Sequence, residues 1–346
     1  MTQEELKKIE EEKKVVEHIH LDGSIRPETA YEWLKEEGVD ITLEEVEQAL
    51  MVKKDCRDLN EYLEKFDLPL KLLQTEGHIE RATYELFEDL AKQNVIYAEV
   101  RFAPSLHTEK GLDYNQIVEA AIRGMNKAKE QFDIEGNLIL CCMRGEKSTI
   151  RSLQTVATAK KYLGKGVCGL DLAGAEALYP TKDYEYIFKL AKKHGIPLTI
   201  HAGEADGPES INVAIEYADR IGHGVRCLGN RKTVGKIVEN GIVLEICPTS
   251  NLQTNAVENI YKTIEELDRL GVKYVINTDN NTVSNTNIIE EYKNVIENTS
   301  FTIEKLAKSN INAIRGAFIT PQKKAELIAK LTERENIEKQ KQGFGG

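Results

Sequence analysis

Val15-Val-Glu-His18-Ile-His20-Leu-Asp22-Gly23 decides how this chain is read. An apolar, β-branched run carries two histidines at i and i+2 and stops at Asp-Gly, a turn pair. Side chains alternate along a strand, so both imidazoles share one face while Ile19 takes the other. The same alternation sends Glu17 to the opposite face, toward a layer of helices. There a carboxylate needs a basic partner or a local shift of the strand. Three more apolar runs end in polar clusters: Leu198-Thr-Ile-His201-Ala-Gly-Glu204, Arg220-Ile-Gly-His223 and Tyr274-Val-Ile-Asn-Thr-Asp279.

Working outward, strands are expected near Val15–His20, Val95–Phe102, Asn137–Cys142, Val167–Leu172, Pro197–His201, Arg220–Gly222, Ile242–Cys247 and Lys273–Asn277. Amphipathic helix-length segments lie between most of them, such as Tyr114–Gln131, Ile150–Tyr162, Tyr184–Lys193 and Ile260–Leu270. Eight strands each followed by a helix predict an α/β fold, a parallel (β/α)8 TIM barrel. A doubly wound open sheet is the alternative, since alternation alone does not decide closure. Residues 24–94 form a long helical insertion after the first strand, with a capping-box spacing at Thr42-Leu-Glu-Glu45. Within it Leu59, Tyr62, Leu63 and Phe66 recur at i, i+3, i+4 and i+7, one apolar helix face. That stripe either packs on the domain or forms a lid, because long insertions at a barrel top are often functional. Two extra helices close the chain, the second opened by Thr320-Pro321. The Gly343–Gly346 stretch reads as a frayed end. With no repeat, low-complexity segment or interdomain linker, residues 1–346 read as one domain.

The 346 residues carry a net charge of −11, with 41% hydrophobic and 30% charged side chains, ordinary for a globular protein. No basic stripe is available to neutralise phosphates, which argues against a nucleic-acid partner. Met1–Lys14 is charged and lacks the apolar core of a signal peptide, and no run approaches a membrane span. The six cysteines (Cys56, Cys141, Cys142, Cys168, Cys227, Cys247) form no CxxC pair. Several sit in apolar runs, as small buried side chains of a reducing compartment do. A cytoplasmic protein without a membrane partner is the expectation.

In a parallel barrel all strand C-termini meet on one face, which carries the active site. His18, His20 and His201 would then meet Asp279, giving three neutral nitrogens and one carboxylate with a position left for water. Closed structural zinc sites prefer thiolates; this set is that of an open catalytic one. Zinc suits it best, and cobalt, iron and manganese accept the same ligand types.

These residues resemble the adenosine deaminase family, within the metal-dependent amidohydrolase group. The motifs are His18-Ile-His-Leu-Asp-Gly23, His201-Ala-Gly-Glu204, Ile221-Gly-His-Gly224, Cys247-Pro-Thr-Ser-Asn251 and Asn277-Thr-Asp279, with Asp171-Leu-Ala-Gly174 and Glu99-Val-Arg-Phe102 as two more. The resemblance spans residues 15 to 335. It implies one zinc per chain on His18, His20, His201 and Asp279, the metal making hydroxide available near neutral pH. It implies that Glu204, kept protonated by burial, gives a proton to purine N1 as water adds to C6. His223 would act beside the hydroxide as base or orienter, and Asp279 would help to orient it and shuttle its proton. The products would be inosine and ammonia. His20, Asp22, Gly174 and Asn280 are the implied substrate contacts, Asp22 to a ribose hydroxyl and the Gly174 N–H to purine N3. Glu99 and Arg101 are expected to form an internal ion pair, and Ser250 and Asn251 local loop hydrogen bonds.

The chain departs from the family at Asn280, where a second Asp contacting N7 is common; an amide can still donate there. Ala175 replaces a usual Asp or Asn but leaves Glu176, and Glu17 is unusual before the first His. The expected partner is a purine nucleoside, adenosine or 2′-deoxyadenosine, with the oligomeric state left open. Alternatives are an adenine or modified-adenosine deaminase, or an inactive nucleoside-binding barrel. AMP is disfavoured by the lack of a basic cluster.

Overall fold

The computed structural model describes residues 1–146 and 148–343, with the side chains of 334–343 left aside; residues 344–346 of the expected frayed end lie outside the described residues. Eight parallel strands run β1 (Lys14–His20), β2 (Val95–Phe102), β3 (Glu135–Met143), β4 (Val167–Ala173), β5 (Thr199–Ala202), β6 (Arg220–His223), β7 (Val243–Ile246) and β8 (Lys273–Ile276). They pair in order as two four-stranded sheets, β1 to β4 and β5 to β8. Parallel bridges close both seams, Leu170 with Leu198 and Ile19 with Asp279. The result is the (β/α)8 barrel. Every expected strand forms, with ends moved by at most two residues. Outward-facing Val16, Ile19, Leu138, Leu140, Leu170 and Leu172 pack with the surrounding helices in the main core.

Two parts of the expected architecture sit on this frame. Residues 24–94 hold the helices Pro27–Glu36, Leu43–Leu50, Leu59–Leu63, Asp67–Leu72 and Glu76–Lys92, and Thr42 and Glu45 make the capping box. The Leu59 to Phe66 stripe is broken into a short helix and a 3-10 turn, Glu64–Phe66. At the C-terminal end lie Ile303–Gly316 and Pro321–Gly343. Thr320 Oγ1 accepts from the Lys323 N–H at 3.3 Å, as its N-cap position requires. No described helix is long and apolar enough to cross a membrane.

Glu17 corrects the simple alternation. One extra residue enters β1 between Val16 and Ile19 relative to β2. The N–H groups of Glu17 and His18 both donate to Asn277 Oδ1, at 2.8 and 3.0 Å. This is a bulge, which puts two successive side chains on one face. Glu17 therefore points into the barrel with His18, and not toward the helices. It meets Arg220 at 3.2 Å, so both a basic partner and a strand shift are present. Burial pushes the Glu17 carboxyl well above the usual range against the pull of Arg220.

Glu99 and Arg101 are not each other's partners. Arg220 binds Glu99 at 2.5 Å and Glu245 at 2.7 Å, while Arg101 binds Asp171 at 2.9 Å and Glu245 at 2.8 Å. Side chains two apart on a strand run parallel and reach across the barrel more readily than toward each other. These five groups, like Glu17, are inaccessible to solvent. Removing one partner of such a group leaves uncompensated buried charge. Arg220→Met should lower unfolding stability by about 3–5 kcal/mol in urea titration, and a loss below about 1 kcal/mol, the level of a surface pair, would deny the network that role.

Candidate metal centre and active site

The polar residues at the strand C-termini converge. His18 Nε2 and His20 Nε2 lie 3.2 and 3.4 Å from Asp279 Oδ1, and His20 Nε2 is 3.3 Å from His201 Nε2. One ligand atom each from His18, His201, His223 and Asp279 falls within 4.8 Å of the others. Five groups thus border one point, and His20 belongs with them on its two short distances. His18 Nε2 is buried without an aligned hydrogen bond, a state that costs free energy unless something else binds there. The set of imidazole nitrogens and a carboxylate could hold a metal ion.

His18, His201, His223 and Asp279 are each held from behind. Glu245 Oε2 meets His18 Nδ1 at 2.9 Å, and Asp171 Oδ2 meets His201 Nδ1 at 2.9 Å. An ionised carboxylate at Nδ1 fixes the ring proton there and leaves the Nε2 lone pair facing the cavity. Despite burial, Arg101 and Arg220 hold Glu245 well below the usual carboxylate range. Asp171 is likewise lowered against burial by His201 and Arg101. Ser250 Oγ donates to Asp279 Oδ2 at 2.7 Å. Asn251 Nδ2 lies 2.9 Å from His223 Nδ1, while its Oδ1 accepts from the Cys247 N–H. That orientation makes Nδ1 of His223 the acceptor and assigns the neutral ring's proton to Nε2. Ser250 and Asn251 are therefore bound to Asp279 and His223 and do more than hold their own loop.

Glu204 faces His223, its Oε2 3.5 Å from Nε2, and accepts from Thr254 Oγ1 at 3.1 Å. Burial, then the charges of Asp279 and Glu176, push its carboxyl well above the usual range. Asp22, Gly174, Asn280, His20 and Glu204 line one cavity of about 250 Å³ with Asp279, His201 and His223. Leu59, Tyr62, Leu63 and Phe66 line it too, so the apolar stripe roofs the site. Burial raises Asp22 to about 7. Gly174 has φ +106°, where a side chain would be strained. A larger, open depression of about 990 Å³ lies at the opposite, N-terminal ends of the strands and contains none of these groups.

Sequence reading gave no role to Glu176. Its carboxylate accepts from the N–H groups of Gly203, Glu204, Ala205 and Asp206, at 2.7, 2.9, 2.7 and 3.1 Å, and from Ser210 Oγ at 2.6 Å. Four successive amides on one carboxylate form an anion nest that pins the loop carrying Glu204. The signal was an acidic residue two after a strand-end glycine, which nothing local could interpret. Glu176→Ala would leave those donors unsatisfied at about 1–3 kcal/mol each where buried. It should destabilise the protein by about 3 kcal/mol or more and speed amide exchange at 203–206. Unchanged exchange would mean the loop is held by other contacts.

A closed parallel barrel with a buried His/Asp cluster at its strand C-termini is the build of the amidohydrolase class. An amidohydrolase from Burkholderia ambifaria, solved with bound zinc, shares the fold at TM-score 0.87 and 23% identity, covering 97% of this chain and 94% of that one. The N6-methyl-AMP deaminase of Arabidopsis thaliana superposes at TM-score 0.83 and 27% identity over 95% of this chain and 98% of its own. The family model described as Adenosine deaminase matches residues 13–334. An adenosine deaminase of Clostridium perfringens is 41% identical over 321 residues, 91% of this chain and 96% of that protein. The chain belongs to the adenosine deaminase family.

Proposed function

We propose that this chain hydrolyses adenosine to inosine and ammonia, as a single hydrolase domain with residues 24–94 as an insertion. The observation that carries the reading is Glu204, a buried carboxyl facing the His/Asp cluster across one small cavity. His18, His20, His201 and Asp279 would hold one zinc ion, for which their donor types are suited. Zinc, when bound, supplies a hydroxide nucleophile near neutral pH. His223 lies beside that position with its proton assigned to Nε2, which favours the role of hydrogen-bond donor and orienter over that of resting base. Asp279, fixed through Ser250, is the carboxylate best placed to take the water's proton.

Glu204 is kept protonated by its surroundings and would donate to purine N1 as the oxygen adds to C6. The amino group takes the proton that Asp279 received from water and leaves as ammonia as the C6–N bond breaks, while the proton of the new C6 hydroxyl returns to Glu204, so that inosine keeps its proton on N1 and a carbonyl at C6. Asp22 would accept from a ribose hydroxyl, the Gly174 N–H would donate to N3, and Asn280 would donate to N7. The nucleoside, and not its 5′-phosphate, is favoured by the state of the one guanidinium that lines the cavity among the described residues. Arg144 is already bound to the carbonyls of Tyr179 and His201 and to Thr181 Oγ1, at 2.7, 2.7 and 2.9 Å. Cytoplasmic residence is part of the proposal, in keeping with six free, buried cysteines.

Three measurements test this. Zinc-loaded protein, followed by ultraviolet absorbance, should convert adenosine in a chelator-sensitive reaction and leave adenine and N6-methyl-AMP unchanged; turnover of either alone would keep the chemistry and replace the substrate. Glu204→Gln should lower kcat by about 10²- to 10⁴-fold, the usual worth of a general acid, with metal content unchanged. Asp171→Asn should weaken metal binding by about 10- to 100-fold in chelator competition, and wild-type affinity would remove Asp171 from the support of His201.

A further inference from the structure

The roof over the cavity is apolar except at Tyr62, which is only 1% exposed. A buried phenol needs hydrogen-bond partners. Its oxygen accepts from Asn280 Nδ2 at 3.0 Å and shares a 2.6 Å hydrogen bond with Ser284 Oγ. With Asn280 donating, the single phenolic proton is free to go to Ser284. Both partners belong to the loop after β8, immediately beyond Asp279. The neighbouring roof residues Leu59, Leu63 and Phe66 have no polar atom with which to do this.

Asn280 is constrained at its other end as well. Its Oδ1 lies against the bare Cα of Gly23, where a Cβ would come within 1.7 Å. The amide oxygen faces Gly23 without a hydrogen-bond partner among the described residues, and one N–H is on Tyr62, leaving the second N–H. Asn280 borders the cavity together with Asp22 and Glu204. If the segment Leu59–Leu72 lifts, Tyr62 leaves and the amide loses the partner that orients it. Any ligand that engages the oriented amide must then favour the closed roof by the same free energy, because linkage is reciprocal.

From this junction we infer that Tyr62 is a specificity-determining positioning residue: its hydroxyl latches the roof to Asn280 and aims the second amide N–H at a ring-nitrogen acceptor of the base. The inference rests on the deaminase reading, in which that acceptor is purine N7. Roof closure and base recognition are then one event. A nucleoside lacking the acceptor would bind under a roof it cannot help to hold down.

The test uses metal-loaded wild type, Tyr62→Phe, Asn280→Ala and the double variant. Calorimetry gives the dissociation constants of inosine and 7-deazainosine, which differ at the N7 acceptor. Amide exchange over residues 59–72 is measured in parallel on the unliganded proteins. Wild type should prefer inosine by about tenfold, the worth of one hydrogen bond. Tyr62→Phe should reduce that preference below about threefold, Asn280→Ala should abolish it, and the double variant should match Asn280→Ala. Exchange over 59–72 should rise in all three variants. A full wild-type preference in Tyr62→Phe, with Asn280→Ala having lost it, would overturn the inference. A preference that survives Asn280→Ala would instead remove the N7 contact from the proposed function. In that event raised exchange in both single variants upholds the latch, and unchanged exchange overturns it.

Discussion

Two guanidiniums buried inside a parallel barrel, Arg101 and Arg220, are the constraint from which the site's geometry follows. Neither could lie there without carboxylates, since an unpaired charge in that interior costs many kcal/mol. Arg101 binds Asp171 and Glu245, and these two carboxylates hold the Nδ1 atoms of His201 and His18. Each chain thus runs from guanidinium to carboxylate to imidazole. The arginine keeps the carboxylate ionised, the ionised carboxylate keeps the proton on Nδ1, and Nε2 is left as a lone pair toward the cavity. A neutral hydrogen-bond acceptor in place of either carboxylate would hold the rings less firmly.

Arg220 carries the same network toward the other end of the barrel. It binds Glu17, Glu99 and Glu245, and the Gly316 carbonyl accepts from its Nη1 at 3.1 Å. Phe318 covers its guanidinium at 3.9 Å. The Phe318 N–H also donates to Glu99 Oε1 at 2.8 Å. The connection between the two C-terminal helices is therefore a plug that dries the floor beneath the histidines. Four carboxyls face two arginines here, and burial pushes that of Glu17 well above the usual carboxylate range against the pull of Arg220. The extra helices belong to the electrostatics of the site, although they lie at the face remote from it.

Much of this was legible in the sequence, because period-two apolar runs ending in His or Asp read directly as strands presenting side chains at one barrel face. What escaped reading depended on register or on partners distant in sequence. The bulge at Glu17 and His18 is created by Asn277, some 260 residues away, and no local pattern announces it. Glu99 and Arg101 share a face as expected, yet their partners come from β4, β6 and β7, which alternation along β2 cannot name. Ser250 and Asn251 read as loop residues because only the closed barrel brings them to Asp279 and His223. The roof stripe was visible at helical spacing, whereas the cavity beneath it was not, since a stripe does not say what it covers.

The closing seam ties the fold to the chemistry. Asp279 pairs with Ile19 across it, donating its N–H to the His18 carbonyl at 3.1 Å and accepting from the His20 N–H at 2.7 Å. The barrel therefore closes through the same residues that would bind the metal. Both Asp279 and His223 have φ of 61°, a left-handed conformation that costs a non-glycine residue about 1–3 kcal/mol. Such a conformation turns the side chain inward at the point where the strand ends. At His223 the following Gly224 is also left-handed, φ 69°, so the chain reverses away from the cavity at once. The strain persists because Ser250 holds the Asp279 carboxylate and Asn251 the His223 ring, and the seam's ladder bonds fix the Asp279 backbone. A relaxed backbone at Asp279 would break the seam as well as misplace a ligand, so barrel closure and site assembly are a single cooperative step.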